Sequence, residues 1–323
     1  MQIEYLGSSL HVPDFLIVGA SRSGTSALYT YLSRHPRIYM PLEKEPMFFC
    51  RWNRIPVRDM RRAGAHLDWV VSDLEDYIEL FQPAGEDQIL GEASTWYLFE
   101  HSRVICNLQR LYGERCRELK ILVMLRNPVA RAWSQYIFHV SEKREKKPFE
   151  EAVSPDVVRS RREENYSPGY DYLGFSRYYA QVKEYLDNFN QVKVLIFEEF
   201  FKPASDYLAS VFDFLGVEPV TWEAGRQKIN ISGRPKNRAS EAVLGLVYQP
   251  NALKALVKPF LPRRSRRSLK YRLKRKLLRP ERMPKDLSLR LWAEYREEVE
   301  DLERLLGRSL SLWVPEDGKE GLA

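Results

Sequence analysis

The stretch Phe15–Pro36, FLIVGASRSGTSALYTYLSRHP, restricts the possible folds of this chain more than any other segment. Its apolar start, Phe15–Val18, reads as a buried strand. Gly19 and Gly24 bracket a polar turn. From Thr25 to about Arg34 the spacing predicts a helix with Ala27, Leu28, Tyr31 and Leu32 on one face, stopped at His35-Pro36. Strand, glycine-bearing turn and helix in that order aim successive backbone N–H groups at one spot and make a nest for an oxyanion. A nucleoside triphosphatase places Lys directly after the second Gly. Here that position is Thr25, and the cation of the loop is Arg22. Arg22 offers a two-pronged donor, and Ser23, Thr25 and Ser26 add hydroxyls, so the turn is expected to hold an anion.

Further strands alternate with helices. Leu119–Leu125, LKILVML, is a continuous apolar run of the kind a parallel strand covered on both faces shows. Arg37–Met40, Ile89–Leu90 and Val192–Phe197 add short strands. Helices are predicted at Asp73–Phe81, from Pro128 to about Val140, at Tyr178–Phe189, at Pro203–Leu215 (closed by Gly216) and at Leu287–Leu306. This alternation predicts an α/β fold, a P-loop-type parallel β-sheet flanked by helices on both faces, with a basic helical C-terminal region. The expected division is a core at 1–247, a basic helical insertion or arm at 248–285, and at 286–323 a helix packing back on the core with a short tail. The polar stretch Ser141–Gly174 is expected to be a functional cover or a mobile connector.

Ligands of open α/β sheets bind beyond the carboxyl ends of the strands. In LVMLRNPVARAWSQY the strand ends in Arg126, where a Walker-type enzyme would set a metal-binding Asp, and Ser134 follows on the helix. A cation and a hydroxyl suit a second phosphate; the alternative is a salt bridge from Arg126 to a neighbouring carboxylate.

Taken together, these motifs carry a resemblance. FLIVGASRSGTSALYTYL resembles the 5′-phosphosulfate loop of the sulfotransferase family, and LVMLRNPVARAWSQY resembles its 3′-phosphate motif. Similarity continues through EKEPMFF, GEASTWYLF, SRYYAQVKEYLDNF, VLIFEEFFKPASDYLASVFDFLGVEP and NISGRPKNR, from about Pro13 to Arg238. The nearest branches are the bacterial and glycosaminoglycan-type enzymes. The resemblance implies 3′-phosphoadenosine 5′-phosphosulfate (PAPS) as sulfuryl donor, adenosine 3′,5′-bisphosphate (PAP) as product, and no metal. By resemblance Arg22, Ser23, Gly24, Thr25 and Ser26 hold the 5′-phosphosulfate, and Arg126 and Ser134 hold the 3′-phosphate. Ser232, Gly233 and Arg234 close over the same end of the nucleotide, and Tyr178 lines the pocket.

The general base implied by the resemblance is Glu45, with Arg22 stabilising the charge that develops on the leaving group. Pro46, Met47, Phe48 and Phe49 are expected to desolvate Glu45 and raise it toward useful basicity. Glu92 is the rival base, expected instead to partner a nearby cation. Two positions depart from the glycosaminoglycan pattern: Arg22 stands where many relatives have Lys, and Ala93 where they commonly have Lys. The acceptor is a hydroxyl, with a carbohydrate (polysaccharide or glycolipid) preferred and protein tyrosine as an alternative. A P-loop kinase or nucleotide hydrolase using Glu198 for a metal is the other alternative.

With 44% hydrophobic residues the chain can bury a full core, which excludes wholesale disorder. A net charge of +7 suggests an acidic partner. The basic tract 254–282 is expected to contact an anionic glycan or a membrane surface, without specific nucleic-acid binding. Cys50, Cys106 and Cys116 have neither disulfide-framework number nor metal-ligand spacing. No leader or membrane-length apolar window is seen, so a cytoplasmic chain, soluble or peripheral at the membrane, is expected. His139 is expected in a core or surface role, and Trp96, Tyr97 and Phe99 in core packing rather than as a sugar platform.

Overall fold

In the computed structural model, which describes residues 1–52, 70–200, 204–220, 233–248, 269 and 272–315, the chain opens with a hairpin. Strand β1 (Gln2–Tyr5) pairs antiparallel with β2 (Ser8–His11). The turn between them uses positive φ at Leu6 (51°) and Gly7 (81°), the hand that matches strand twist. Leucine is not a usual residue for such a turn, and the sequence reading did not anticipate this hairpin.

Five parallel strands follow: β3 (Phe15–Gly19), β4 (Ile38–Tyr39), β5 (Ile89–Ala93), β6 (Lys120–Leu125) and β7 (Gln191–Ile196). They stand in the order β4-β5-β3-β6-β7. Alternate residues serve opposite faces. Phe15, Ile17, Leu122, Met124 and Leu195 pack on Ala27, Leu28 and Leu32 of the helix Thr25–Leu32, and on Val211 and Phe212 of Ala204–Leu215. On the other face Leu16, Val18, Ile121, Val123, Leu125 and Ile196 meet the helices His101–Tyr112, Pro128–Ser141, Tyr178–Asn188 and Lys285–Leu306. Burial on both faces explains the unbroken apolar runs and bears out the predicted fold class. Because β3 lies between β5 and β6, the order of the sheet reverses at its carboxyl end, and that reversal opens a crevice.

The stretch expected to be a cover or mobile connector is built differently. It holds the short helices Phe149–Ala152 and Pro155–Glu163 and two 3-10 turns, and one of its ion pairs is buried. Arg161 Nη2 meets Glu145 Oε2 at 2.8 Å, and Tyr172 OH donates to the same oxygen at 2.8 Å. His139 Nδ1 lies 3.0 Å from Tyr172 OH and Nε2 lies 3.2 Å from Gln135, which gives this histidine a core role. A buried ion pair is tolerated when its remaining donors and acceptors are satisfied in this way.

The terminal helix Lys285–Leu306 buries Leu287, Leu291, Tyr295, Val299 and Leu302, and Tyr295 OH donates to Leu173 O at 2.9 Å. The described end of the basic tract also folds onto the core. Strand β8 (Arg234–Pro235) pairs with β9 (Leu278–Arg279), and Lys274 pairs with Glu142 at 3.0 Å. Positions 254–268, 270 and 271 of that tract lie outside the described residues. Among the described residues no helix is long and apolar enough to cross a membrane.

Candidate functional site

The anion loop lies at the crevice. Ala20 N donates to Met124 O (2.7 Å), and Ser94 N donates to Ile17 O (3.1 Å), so the ends of β6 and β5 clamp the start of the loop. Arg22 holds φ 68° and Gly24 φ 94°, a backbone that curls N–H groups inward. A Cβ on Gly24 would lie 2.7 Å from the Phe197 ring, so glycine is required for space as well as for φ. The helix that follows has no side-chain cap and no acidic residue in its first turn, which leaves its N–H groups for another acceptor. Ser23 Oγ is buried and has no hydrogen-bond partner among the described residues. Thr25 is buried and Ser26 half-buried on the first turn of that helix.

Three guanidinium groups converge on this loop. Arg22 Nε donates to Ser134 Oγ at 3.2 Å, and its guanidinium carbon sits 4.7 Å from the Phe138 ring centre. Arg126 Nη1 donates to Arg22 O at 3.2 Å, and Arg131 Nη1 to Ser21 O at 3.4 Å. Burial, and then the nearby charge of Arg126, pull Arg22 down to about 10. Desolvation likewise lowers Arg126 and Arg131. Arg126 forms no salt bridge among the described residues, so the alternative of a carboxylate partner is not realised. Ser134 and Arg126, read from sequence as a pair, are brought together through Arg22. Tyr178 OH donates to Arg126 O at 3.0 Å, and burial pushes it up to about 12. Like charges crowded in a partly desolvated crevice are unfavourable until an anion joins them.

Glu45 sits at the end of β5, across from the loop. Its N donates to Ala93 O (2.9 Å), and its carboxylate accepts from Thr95 N (2.7 Å), from Thr95 Oγ1 (3.1 Å) and from the Lys44 ammonium. Thr95 also faces the loop: a Cβ added to Gly19 would come 3.1 Å from Thr95 O. Met47 takes positive φ (57°), and Phe48 and Phe49 lie in the core, where Phe48 stacks on Tyr77 at 4.2 Å. Ala93 is buried, and the cation beside Glu45 comes from Lys44. Lys44, Thr95 and Arg131 were missed in the sequence reading. The hydroxyl pair Ser94-Thr95 just past a strand was the available signal.

Glu92 is 1% exposed. No cation pairs with it among the described residues; its partners are the hydroxyls of Tyr97 (2.8 Å) and Tyr77 (3.2 Å), and burial raises it to about 7. Glu198, the candidate metal ligand of the kinase alternative, accepts from Asn127 N (3.0 Å) and Trp313 Nε1 (2.9 Å), one bond to each oxygen. Trp96 and Tyr97 are core residues, and Phe99 stacks on Phe175 at 3.9 Å. Gly233 and Arg234 flank a cleft of about 500 Å³ shared with Arg279, Glu281 and Arg282, where Arg234 pairs with Glu281. Ser232 lies outside the described residues.

Known proteins place these features in context. The sequence profile described as "Sulfotransferase family" matches residues 13–223. A membrane-associated sulfotransferase, kil1, of Dictyostelium discoideum is 29% identical over 143 residues, 44% of this chain and 26% of that protein. Carbohydrate sulfotransferase 15 of Rattus norvegicus is 29% identical over 175 residues, 44% of this chain and 30% of that protein. The matches therefore span less than a third of these curated relatives. Among solved structures, a sulfotransferase from Alicyclobacillus acidocaldarius superposes with a TM-score of 0.66 at 29% identity, covering 94% of this chain and 99% of that one.

Proposed function

The chain belongs to the sulfotransferase family, and from that premise we propose that it moves a sulfuryl group from PAPS to a carbohydrate hydroxyl, with Glu45 as general base. The observation that carries the donor reading is the convergence of Arg22, Arg126 and Arg131 on a loop with a buried, unpartnered Ser23 hydroxyl. The residues fit a nucleotide with phosphate at two places. Ser23, Gly24, Thr25, Ser26 and the Arg22 guanidinium suit the 5′-phosphosulfate, while Arg126 and Ser134, with Tyr178 behind them, suit the 3′-phosphate. Gly233 and Arg234 would close over the nucleotide from β8. PAPS brings an activated sulfuryl group with a good leaving group, so the protein needs to supply position, a base and countercharge.

In the reaction Glu45 removes the acceptor proton as the acceptor oxygen bonds to sulfur in line with the breaking bond. Arg22 and the loop N–H groups meet the charge left on the 5′-phosphate oxygen. Lys44 and Thr95 hold the Glu45 carboxylate in one orientation. A carbohydrate acceptor is favoured by the likeness to a carbohydrate sulfotransferase. The net charge of +7 suits an acidic polymer or an anionic membrane surface, met through the described end of the basic tract. Transfer of label from PAPS to a panel of polysaccharides, glycolipids and a tyrosine peptide tests this reading. Label on the peptide alone would overturn the carbohydrate assignment.

Arg126→Ala is expected to weaken PAP binding about ten- to a hundredfold, the loss of one charged hydrogen-bonding contact. Turnover at saturating donor should change far less, because Arg126 reaches the main chain of Arg22 and not the Glu45 side. Titration calorimetry with PAP beside steady-state rates checks both.

A further inference from the structure

The turn that presents Glu45 is strained. Glu45 and Met47 hold φ 67° and 57°, a left-handed region that non-glycine residues rarely adopt. The end of β5 holds it in place: Glu45 N on Ala93 O, Met47 N on Ser94 Oγ (2.9 Å), and the Glu45 carboxylate on Thr95. Directly behind this grip lies Glu92. Its Oε2 accepts from Tyr77 and Tyr97, and its Oε1 is buried with no partner among the described residues. Tyr97 OH, which donates to Glu92, also accepts Phe49 N–H at 3.3 Å, so one hydroxyl joins Glu92 to the segment just past Met47.

We propose that Glu92 is a positioning residue for Glu45: as a carboxylate it gathers the Tyr77 and Tyr97 hydroxyls, and Tyr97 so oriented holds the Phe49 N–H and, with Ser94 on Met47 N–H, the turn that carries the base. The inference rests on Glu45 being that base. The groups facing Glu92 are Tyr77 from the helix Leu74–Glu79, Glu45 and Cys50 from the strained segment, Tyr97 beside it, and Tyr112 and Tyr185 from the covering helices. Each is acidic or neutral. Nothing among them favours the carboxylate except hydroxyl donors, so burial wins and Glu92 is raised to about 7.

The signs follow from that rise. The gathering form exists above about pH 7 and is lost as pH falls through it, because a protonated carboxyl must donate as well as accept and no longer holds both hydroxyls as donors. Stability runs the other way. A carboxyl raised above its ordinary value binds its proton more tightly when folded, so its contribution to stability is full below about 4.5 and is lost as pH rises through about 7. A purely structural Glu92 would have no such tie to the base.

The test uses the whole chain labelled with [13C]glutamate, with the Glu45 carboxyl signal assigned by its loss in Glu45→Gln. Between pH 5.5 and 8.5 the Glu45 signal should show a step near 7 that reports Glu92, and Glu92→Gln should remove the step. Label transfer from PAPS to the polysaccharide panel at pH 8 should fall about ten- to a hundredfold in Glu92→Gln, with PAP affinity unchanged. If Glu92→Gln does not fold, Ser94→Ala and Tyr97→Phe serve the same purpose, and each should shift or blunt the step. An unaltered Glu45 signal and rate profile, with Glu45→Gln inactive, would overturn the positioning role and leave the base assignment standing. Full turnover in Glu45→Gln with none in Glu92→Gln would make Glu92 the base and overturn both.

Discussion

Glu45→Gln is expected to lower turnover by about a hundred- to ten-thousandfold, the usual contribution of a general base, while PAP affinity stays nearly unchanged. The substitution keeps the shape and a carbonyl oxygen for Thr95 N–H, so the turn should survive. What it removes is the group that accepts the acceptor's proton, together with the Lys44 ion pair. The contacts of Glu45 are to Thr95, Lys44 and Ala93, and none is to Arg22, Ser134 or Arg126, which form the donor side. Initial rates with labelled PAPS and calorimetry with PAP separate the two effects. Wild-type rates in this variant would remove Glu45 from the chemistry.

Arg22→Ala should damage both rate and affinity. The guanidinium is the cation nearest the turn of the loop, tied to Ser134 and lying on the Phe138 ring, and at about 10 it is still charged at neutral pH. Loss of one such stabilising donor costs about a hundred- to a thousandfold in turnover. The same change should not destabilise the ligand-free protein by a comparable amount, because it removes a cation that burial, and then repulsion from Arg126, disfavour more than Glu142 favours it. Binding of PAP to wild type should raise the melting temperature as an anion relieves that repulsion, and Arg22→Ala should lose most of this gain. Calorimetric scans with and without PAP read the effect directly. An undiminished thermal shift would place the 5′ end of the nucleotide elsewhere.

The sheet was legible because its strands are buried on both sides. Phe15–Val18 and Ile121–Leu125 have no polar residue to break the run, and the reversal at β3 fixes where loops meet. The stretch after Ser141 was not, since Glu145 and Arg161 are charged residues sixteen positions apart whose pairing only the folded chain establishes. Such residues look solvated in sequence.

At the site, Arg22, Ser134 and Arg126 follow their strands at set spacings, so their meeting was expected. Thr95 reaches Glu45 across the sheet, through the register of β4 on β5, which no local pattern encodes. Phe48 and Phe49 lie in the core past the positive φ of Met47, and Lys44, one residue from Glu45 in sequence, is seen as its partner only in the folded ion pair.

The most direct measurement of the central claim is a calorimetric titration of the purified protein with PAP, set against ATP with magnesium. A crevice built from Arg22, Arg126 and Ser134 for a nucleotide phosphorylated at its ribose and at its 5′ end predicts saturable binding of PAP without magnesium, and weaker binding of ATP. Saturation by ATP–magnesium with no heat from PAP would contradict it.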